Sequence, residues 1–295
     1  GCDREIVFLF PGQGSQYPDM GQQMFKTHKV FRQAIINCAE ILRDILDVPL
    51  LELLYPSLYS PNHPSERIHE TSYAQPALFA VEYAVVELWK SLGIVPTAVL
   101  GHSLGEYVAA CTAGVFSLED GLKLVARRGQ LMQALPKLGS MGAVTADEIT
   151  VEQRLAGISG VAIAAYNGPD RLTLSGEKDA IAAAIVQLQQ ADIRTKPLRT
   201  SHAYHSPLIE PILADWEQMA KTIRYSAPHL QFFSSLTGSA LSADVTTSTY
   251  WVEQTRQPVR FHQGLNALIE KGYRFFIEAG PAPVLTRLGQ RLQSA

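Results

Sequence analysis

Ile6–Phe10 (IVFLF) is a run of five apolar residues with no polar alternation, and it stops at the glycine-bearing turn PGQGSQ (11–16). A strand that is apolar on both faces must be covered on both, which calls for a largely parallel sheet between layers of helix. TAVLG (97–101) repeats the arrangement, breaking at HSLG and continuing into a small-residue helix, HSLGEYVAACTAGV (102–115). Strand, sharp turn and helix in that order are the unit of an α/β fold. Just before it, AQPALFAVEYAVVELWK (74–90) is apolar nearly all round and reads as a buried helix, with Pro76 in its first turn and Gly93 beyond its end.

The pattern changes between about 140 and 200. Six short elements follow one another: MGAVTA (141–146), a helix from Thr150, VAIAAYN (161–167), RLTLS (171–175), a helix over 178–190, and IRTKPLR (193–199). Thr150 and Gln153 have the spacing of a capping box, and Val151, Leu155 and Ile158 share one face; Ile181, Ile185 and Leu188 do so in the second helix. The order β-α-β-β-α-β is the ferredoxin-like split motif. The expected fold is therefore α/β: a large α/β-hydrolase-like lobe with a mainly parallel sheet (1–137 and 201–295), interrupted by a small ferredoxin-like lobe (138–200). The large lobe closes with a strand, YRFFIE (273–278), and a last helix after AGPAP (279–283). A cleft is expected between two such lobes.

Composition removes several function classes. Charged residues make 18% of the 295, the net charge is −3 and no run of like charges reaches five, so nucleic acid is not the expected partner. The purely apolar stretches are far shorter than the roughly 18–20 residues a membrane span needs. Cys2, Cys38 and Cys111 are odd in number and form no C-x-x-C pair, which fits neither a disulfide framework nor a zinc ribbon and points to a reducing, cytoplasmic setting. The first residues, GCDRE, hold no initiating Met and no signal-peptide pattern, so a piece of a longer polypeptide is expected.

GHSLG (101–105) fits G-x-S-x-G, in which small residues let a strained strand-to-helix turn expose the serine hydroxyl. A plain helix cap would not require glycine on both sides. Ser103 is the candidate nucleophile, and the Leu104 N–H at the helix start is a natural oxyanion donor. Gly12 and Gly14 would let the backbone at Gln13 approach the serine and supply a second N–H. Neither a third glycine for a dinucleotide fingerprint nor a GK[ST] follows that loop, so no nucleotide cofactor is expected.

The serine needs a base, and histidine is the usual one. His28, His63, His69, His229 and His262 lie in polar or loop-like surroundings and read as surface residues. His202 and His205, in SHAYHSPLIEP (201–211), sit where the small lobe returns the chain to the large one, and either could serve. A metal site at this pair would need further ligands at workable spacing, and no such pattern occurs. In ARRGQLMQ (126–133), one of Arg127 and Arg128 reads as solvated and the other as a carboxylate clamp.

FLFPGQGSQ (8–16), TSYAQPALF (71–79), GHSLGEY (101–107), RRGQLMQ (127–133), SHAYHSPL (201–208) and IEAGP (277–281) together resemble the malonyl-CoA:acyl-carrier-protein transacylase family, and more closely the acyltransferase domain of a modular polyketide synthase. The resemblance spans essentially the whole chain, in the family's order and spacing. It implies Ser103 as acyl acceptor, His205 as general base, the Gln13 and Leu104 amides as oxyanion hole, and Arg128 as the grip on a malonyl carboxylate. It also implies that a main-chain carbonyl near Gln254 orients the histidine, with no catalytic Asp. No cofactor or metal is bound in such a domain; malonyl-CoA and the phosphopantetheine thiol of an acyl carrier protein are its substrates, and ketosynthase and linker domains of the same polypeptide its neighbours.

In the family, GHSLG, HAFH-like and YAQPALFA-like sequences mark malonyl selection, whereas methylmalonyl enzymes tend to GHSQG and YASH. His202 and Tyr204 would crowd an α-methyl group, although a methylene-sized distinction is worth only about 1–3 kcal/mol. Tyr204 departs from the usual Phe, which leaves methylmalonyl or another carboxyacyl unit as the alternative substrate. A serine esterase or thioesterase using the same elbow is the alternative class.

Overall fold

The computed structural model describes residues 5–61 and 66–292; Cys2 and His63 lie outside them. Its strands are β1 (Ile6–Phe10), β2 (Ala98–Gly101), β3 (Gly139–Thr145), β4 (Val161–Gly168), β5 (Arg171–Glu177), β6 (Arg194–Pro197), β7 (Gln231–Phe233), β8 (Ala240–Leu241) and β9 (Phe275–Glu278). One sheet has the order β8-β7-β2-β1-β9 and is parallel except for β8. Successive residues of β1 serve different cores. Phe8 and Phe10 join Val99 and Phe232 on the side of the Lys29–Leu42, Thr71–Ser91 and Leu118–Gln133 helices. Val7 and Leu9 join Ala98, Leu100 and Phe233 against Leu265 and Leu268 of the Phe261–Glu270 helix. The unbroken apolar run in the sequence is the consequence of these two cores on opposite faces.

The Thr71–Ser91 helix begins earlier than its apolar pattern suggests, so Pro76 lies inside it and not in the first turn. Its opening N–H, that of Thr71, is satisfied from outside by Gln133 Oε1 at 2.9 Å. The missing proline N–H costs one helical bond, and complete burial of Ala77, Leu78, Ala80 and Val81 around it offsets the loss. At the other end Gly93 takes φ 79°, and the N–H groups of Gly93 and Ile94 return to the Lys90 and Trp89 carbonyls. This is a Schellman stop.

The four strands β3 to β6 form a separate antiparallel sheet in the order β4-β5-β3-β6, backed by the Glu148–Arg154 and Lys178–Gln190 helices. Val144, Val151, Tyr166, Leu172, Leu174, Ile181 and Leu188 make its own core. The helix cap differs from expectation. Asp147, not Thr150, is the N-cap, accepting from Thr150 N at 2.9 Å and Thr150 Oγ1 at 2.7 Å. A carboxylate three residues earlier is the stronger acceptor, and it draws the helix start toward itself.

A short seam ties the antiparallel sheet to the rest of the chain. Tyr166 N donates to Val259 O at 2.8 Å and Val259 N to Ala164 O at 2.9 Å, tying β4 to the segment after the Ser248–Arg256 helix. Among the described residues no helix is long and apolar enough to cross a membrane.

Candidate active site

The turn after β2 is built by backbone contact. A Cβ on Gly101 would lie 2.2 Å from Glu106 N, and one on Gly105 would lie 2.1 Å from Phe10 O. Neither glycine has a positive φ; both are there for space. The left-handed residue is Ser103 itself, at φ 52°, a conformation that costs an L-residue about 1–2 kcal/mol. Its carbonyl is held by Glu106 N at 3.1 Å and by Gln254 Nε2 at 2.8 Å. Beneath it the buried Glu106 carboxylate accepts from Ser235 N at 3.2 Å, from the Ser235 hydroxyl and from the Tyr250 hydroxyl. Burial raises its pKa to about 7 against these bonds.

Ser103 Oγ lies 2.7 Å from His205 Nε2, and His205 Nδ1 lies 2.8 Å from the Gln257 carbonyl. A carbonyl only accepts, so Nδ1 carries the proton and Nε2 is free to take one from the serine. The orienting carbonyl is thus three residues beyond Gln254. Gln257 follows the last turn of the Ser248–Arg256 helix in extended conformation, which turns its carbonyl out of the helix, whereas Gln254 uses its side chain to brace Ser103. His205 is also left-handed, at φ 54°.

Burial, then the charge of Arg128, lowers the His205 pKa to about 3, with the Gln257 carbonyl opposing the shift. The ring is therefore neutral and able to accept a proton throughout the physiological range. If His205 is the base, the acid limb of kcat/KM for serine acylation lies far below the unperturbed histidine value of about 6.5. A pH–rate profile with its limb centred near that value would assign the base elsewhere. The same depression makes the fold lose stability as pH falls from the unperturbed value toward about 3, because only the unfolded ring is protonated there.

Arg127 is exposed and Arg128 is buried. Gly129 allows this, since a Cβ there would meet Thr71 O at 2.6 Å, so the Leu118–Gln133 helix packs close to the Thr71–Ser91 helix. Arg128 Nη1 donates to Gln75 Oε1 at 2.9 Å and Nε to Thr255 Oγ1 at 3.2 Å, and the guanidinium lies 5.4 Å from the centre of the Tyr107 ring. Among the described residues no carboxylate pairs with it. A buried cation held only by neutral groups is costly, and the planar guanidinium suits a carboxylate or phosphate partner.

A cavity of about 460 Å³ joins these groups, and Gln13, Ser103, Leu104, Arg128, Tyr204 and His205 are among the residues that line it. The main-chain N–H groups of Gln13 and Leu104 donate to no protein acceptor among the described residues. Tyr204 OH accepts from Gln13 Nε2 at 3.3 Å and lies 3.2 Å from Ser201 Oγ, so the ring is fixed in the wall. His202 does not reach the cavity, contrary to its expected place as a substrate-binding residue. Its Nε2 is 3.0 Å from Leu135 O and its Nδ1 2.8 Å from Ser201 Oγ, which turns the imidazole away behind Tyr204. His69, read as a surface residue, is exposed but stands at the rim.

Several residues at the site escape inspection of the sequence alone. Gln75 carried a signal, as a lone amide in an apolar helix. Thr255 and Gln257 carried none, since their roles depend on how one helix ends against another. His102, inside the nucleophile motif, places Nε2 2.7 Å from Asn167 Oδ1 of β4; no spacing rule links residues 65 apart.

The fold is mixed α/β with a mainly parallel sheet, and the chain belongs to the acyl transferase domain family, whose model matches residues 7–294. The spectinabilin polyketide synthase system protein NorB of Streptomyces orinoci is 40% identical over 287 residues, which are 97% of this chain and 13% of that protein. The acyltransferase domain from the second module of the salinomycin polyketide synthase superposes with a TM-score of 0.90 at 40% identity, covering 98% of this chain and 66% of that one. An acyl carrier protein S-malonyltransferase from Vibrio cholerae superposes at 0.89 with 29% identity, covering 98% and 94%. The chain spans a small part of the length of the curated relatives it matches.

Proposed function

We propose that this chain moves a malonyl group from CoA to the phosphopantetheine thiol of an acyl carrier protein through an ester on Ser103. Ser103 Oγ attacks the thioester carbonyl while His205 Nε2 takes its proton, and the oxyanion rests on the Gln13 and Leu104 amides. Collapse expels the CoA thiolate, which takes the proton back from His205. The carrier's thiol then enters, gives its proton to His205 and attacks the seryl ester; collapse releases Ser103 Oγ, which takes the proton back from His205, and the carrier leaves with the acyl group. The Gln257 carbonyl stands where a catalytic Asp would in a triad.

The observation that carries the reading is Arg128, buried in the cavity with no carboxylate among the described residues to pair with. A free carboxylate on the acyl group supplies the missing charge. Malonyl is favoured over methylmalonyl by the Tyr204 ring, whose hydroxyl is tied to Gln13 and Ser201 and leaves it little freedom to yield to an α-methyl; His202 supports that ring from behind. In a competition assay Arg128→Ala should lower malonyl transfer at least about a hundredfold, the cost of a lost charged hydrogen bond in a dry site, and spare or raise acetyl transfer. An unchanged malonyl preference would refute the clamp.

The lobe division at 138–200 is supported by the separate core under β3 to β6, and work within a larger synthase, beside ketosynthase and linker domains, by the short share of its relatives that the chain spans. Free thiols at Cys38 and Cys111 support the cytoplasm as its compartment.

A further inference from the structure

One unbroken chain of hydrogen bonds crosses the site, and the acyl-transfer chemistry gives its middle no work. Arg128 Nη1 donates to Gln75 Oε1 at 2.9 Å, and Gln75 Nε2 to Thr71 Oγ1 at 3.0 Å. Thr71 Oγ1 donates to Gln13 Oε1 at 2.9 Å, and Gln13 Nε2 to Tyr204 OH at 3.3 Å. Beyond Tyr204 the chain passes through Ser201 Oγ to His202 Nδ1 and ends on the Leu135 carbonyl. Both ends fix its direction. A guanidinium only donates, which turns the Gln75 amide oxygen toward Arg128 and leaves the Thr71 proton for Gln13 and a Gln13 amide hydrogen for Tyr204. The Leu135 carbonyl only accepts, so the His202 ring, neutral because burial lowers its pKa, carries its proton on Nε2. Ser201 then donates to Nδ1, and Tyr204 to Ser201. No link has to be reversed for the two ends to agree.

Thr71 is the joint of this chain. It is fully buried, as is Gln75 one helical turn on. On one side it leads to the guanidinium that meets a carboxylate, and on the other to the residue whose main-chain N–H is the oxyanion donor. A malonyl group holds its carboxylate and its thioester carbonyl one methylene apart, so clamp and oxyanion hole must keep one separation while both are occupied. Arg128 stands on the Leu118–Gln133 helix and Gln13 on the loop after β1; Gln75 and Thr71, on a third element, join them. We propose that Thr71 is a positioning residue whose hydroxyl locks the carboxylate clamp to the oxyanion loop at the span of a malonyl group, and so favours malonyl over acetyl and over longer diacyl groups in the rate of acylation. The inference rests on the acyl-transfer reading above. An acetyl group makes no use of the lock, because it occupies only one of the two ends.

The test measures acylation of Ser103 by malonyl-, succinyl- and acetyl-CoA as single-turnover release of CoA. Thr71→Val keeps the shape and removes the hydroxyl, and Thr71→Ser keeps the hydroxyl. Gln13→Leu breaks the same lock from the half-buried loop, leaves the main-chain N–H in place, and carries the test alone if Thr71→Val does not fold. Thr71→Val and Gln13→Leu should each lower the saturating malonyl rate about tenfold, the worth of one hydrogen bond that aligns the reacting group, with the half-saturating concentration within about twofold. Thr71→Ser should recover the rate. The double variant should lose little more than either single one, since both act on one chain. Acetyl rates should change less than about threefold throughout, and the succinyl-to-malonyl ratio should rise. Equal losses on malonyl and acetyl, an unchanged succinyl-to-malonyl ratio, losses that multiply in the double variant, or a full malonyl rate in Gln13→Leu would overturn the assignment and leave the transfer reading standing. A wild type that releases no CoA from malonyl-CoA would overturn the transfer reading and this one with it.

Discussion

Ser103→Ala should abolish the covalent acyl-enzyme and lower transfer by on the order of a millionfold, the loss seen when a serine nucleophile is removed. His205→Ala should cost about as much, and the double variant little more, because the two act as one unit. Their Oγ–Nε2 separation of 2.7 Å and the proton fixed on Nδ1 by Gln257 mean that neither has a substitute nearby. His102 is the nearest other imidazole in sequence, but its Nε2 is engaged with Asn167. Pre-steady-state release of CoA from malonyl-CoA measures the step directly. Independent, multiplicative losses in the single variants would show that serine and histidine are not one catalytic unit.

Gly105→Ala carries the second large effect, and it acts on folding. The added methyl would sit 2.1 Å from the Phe10 carbonyl oxygen and 2.6 Å from that of Pro11. Both belong to backbone at the end of β1, whose neighbouring strands are parallel on both sides, so neither can move without disturbing the inner sheet. Overpacking of a core ordinarily costs about 1–3 kcal/mol; against fixed backbone the expected cost exceeds about 3 kcal/mol. Gly142→Ala is the control, since its methyl meets the flexible end of Ile185 at 3.2 Å and should cost less than about 1 kcal/mol. Denaturant unfolding of the two variants measures the difference. Similar midpoints would mean that the elbow glycines are not needed for close approach.

The parts of this fold legible in the sequence are those where one physical demand acts locally. Double-sided burial wrote itself into Ile6–Phe10, and the β-α-β-β-α-β order could be read because each element's apolar period closes within a few residues. The G-x-S-x-G turn announced Ser103 because backbone crowding admits only glycine at 101 and 105. What could not be read depends on partners distant in the chain. Gln133 caps a helix that starts at Thr71, and that early start places Pro76 inside the helix. His202 and His205 are three residues apart and alike on paper; the left-handed turn at His205 aims one ring at Ser103 while Leu135 and Ser201 hold the other away. The step from Gln254 to Gln257 is of the same kind, set by where a helix ends.

Arg128 shows how the two sources combine. The sequence offers Arg127 and Arg128 side by side, and helix geometry alone sends them to different faces. The resemblance selects Arg128. The structure adds the reason that residue is informative: its neighbours Gln75, Thr255 and Tyr107 orient the guanidinium and none of them neutralises it.

The central claim, that Ser103 carries a malonyl group between two thiols, is tested most directly by intact-protein and peptide mass spectrometry after mixing the chain with equal malonyl-, methylmalonyl- and acetyl-CoA, followed by addition of an acyl carrier protein. The expected result is a malonyl adduct on Ser103 that transfers to the carrier faster than it hydrolyses. An adduct on another residue, a predominant acetyl adduct, or loss to water at the same rate with and without carrier would contradict it.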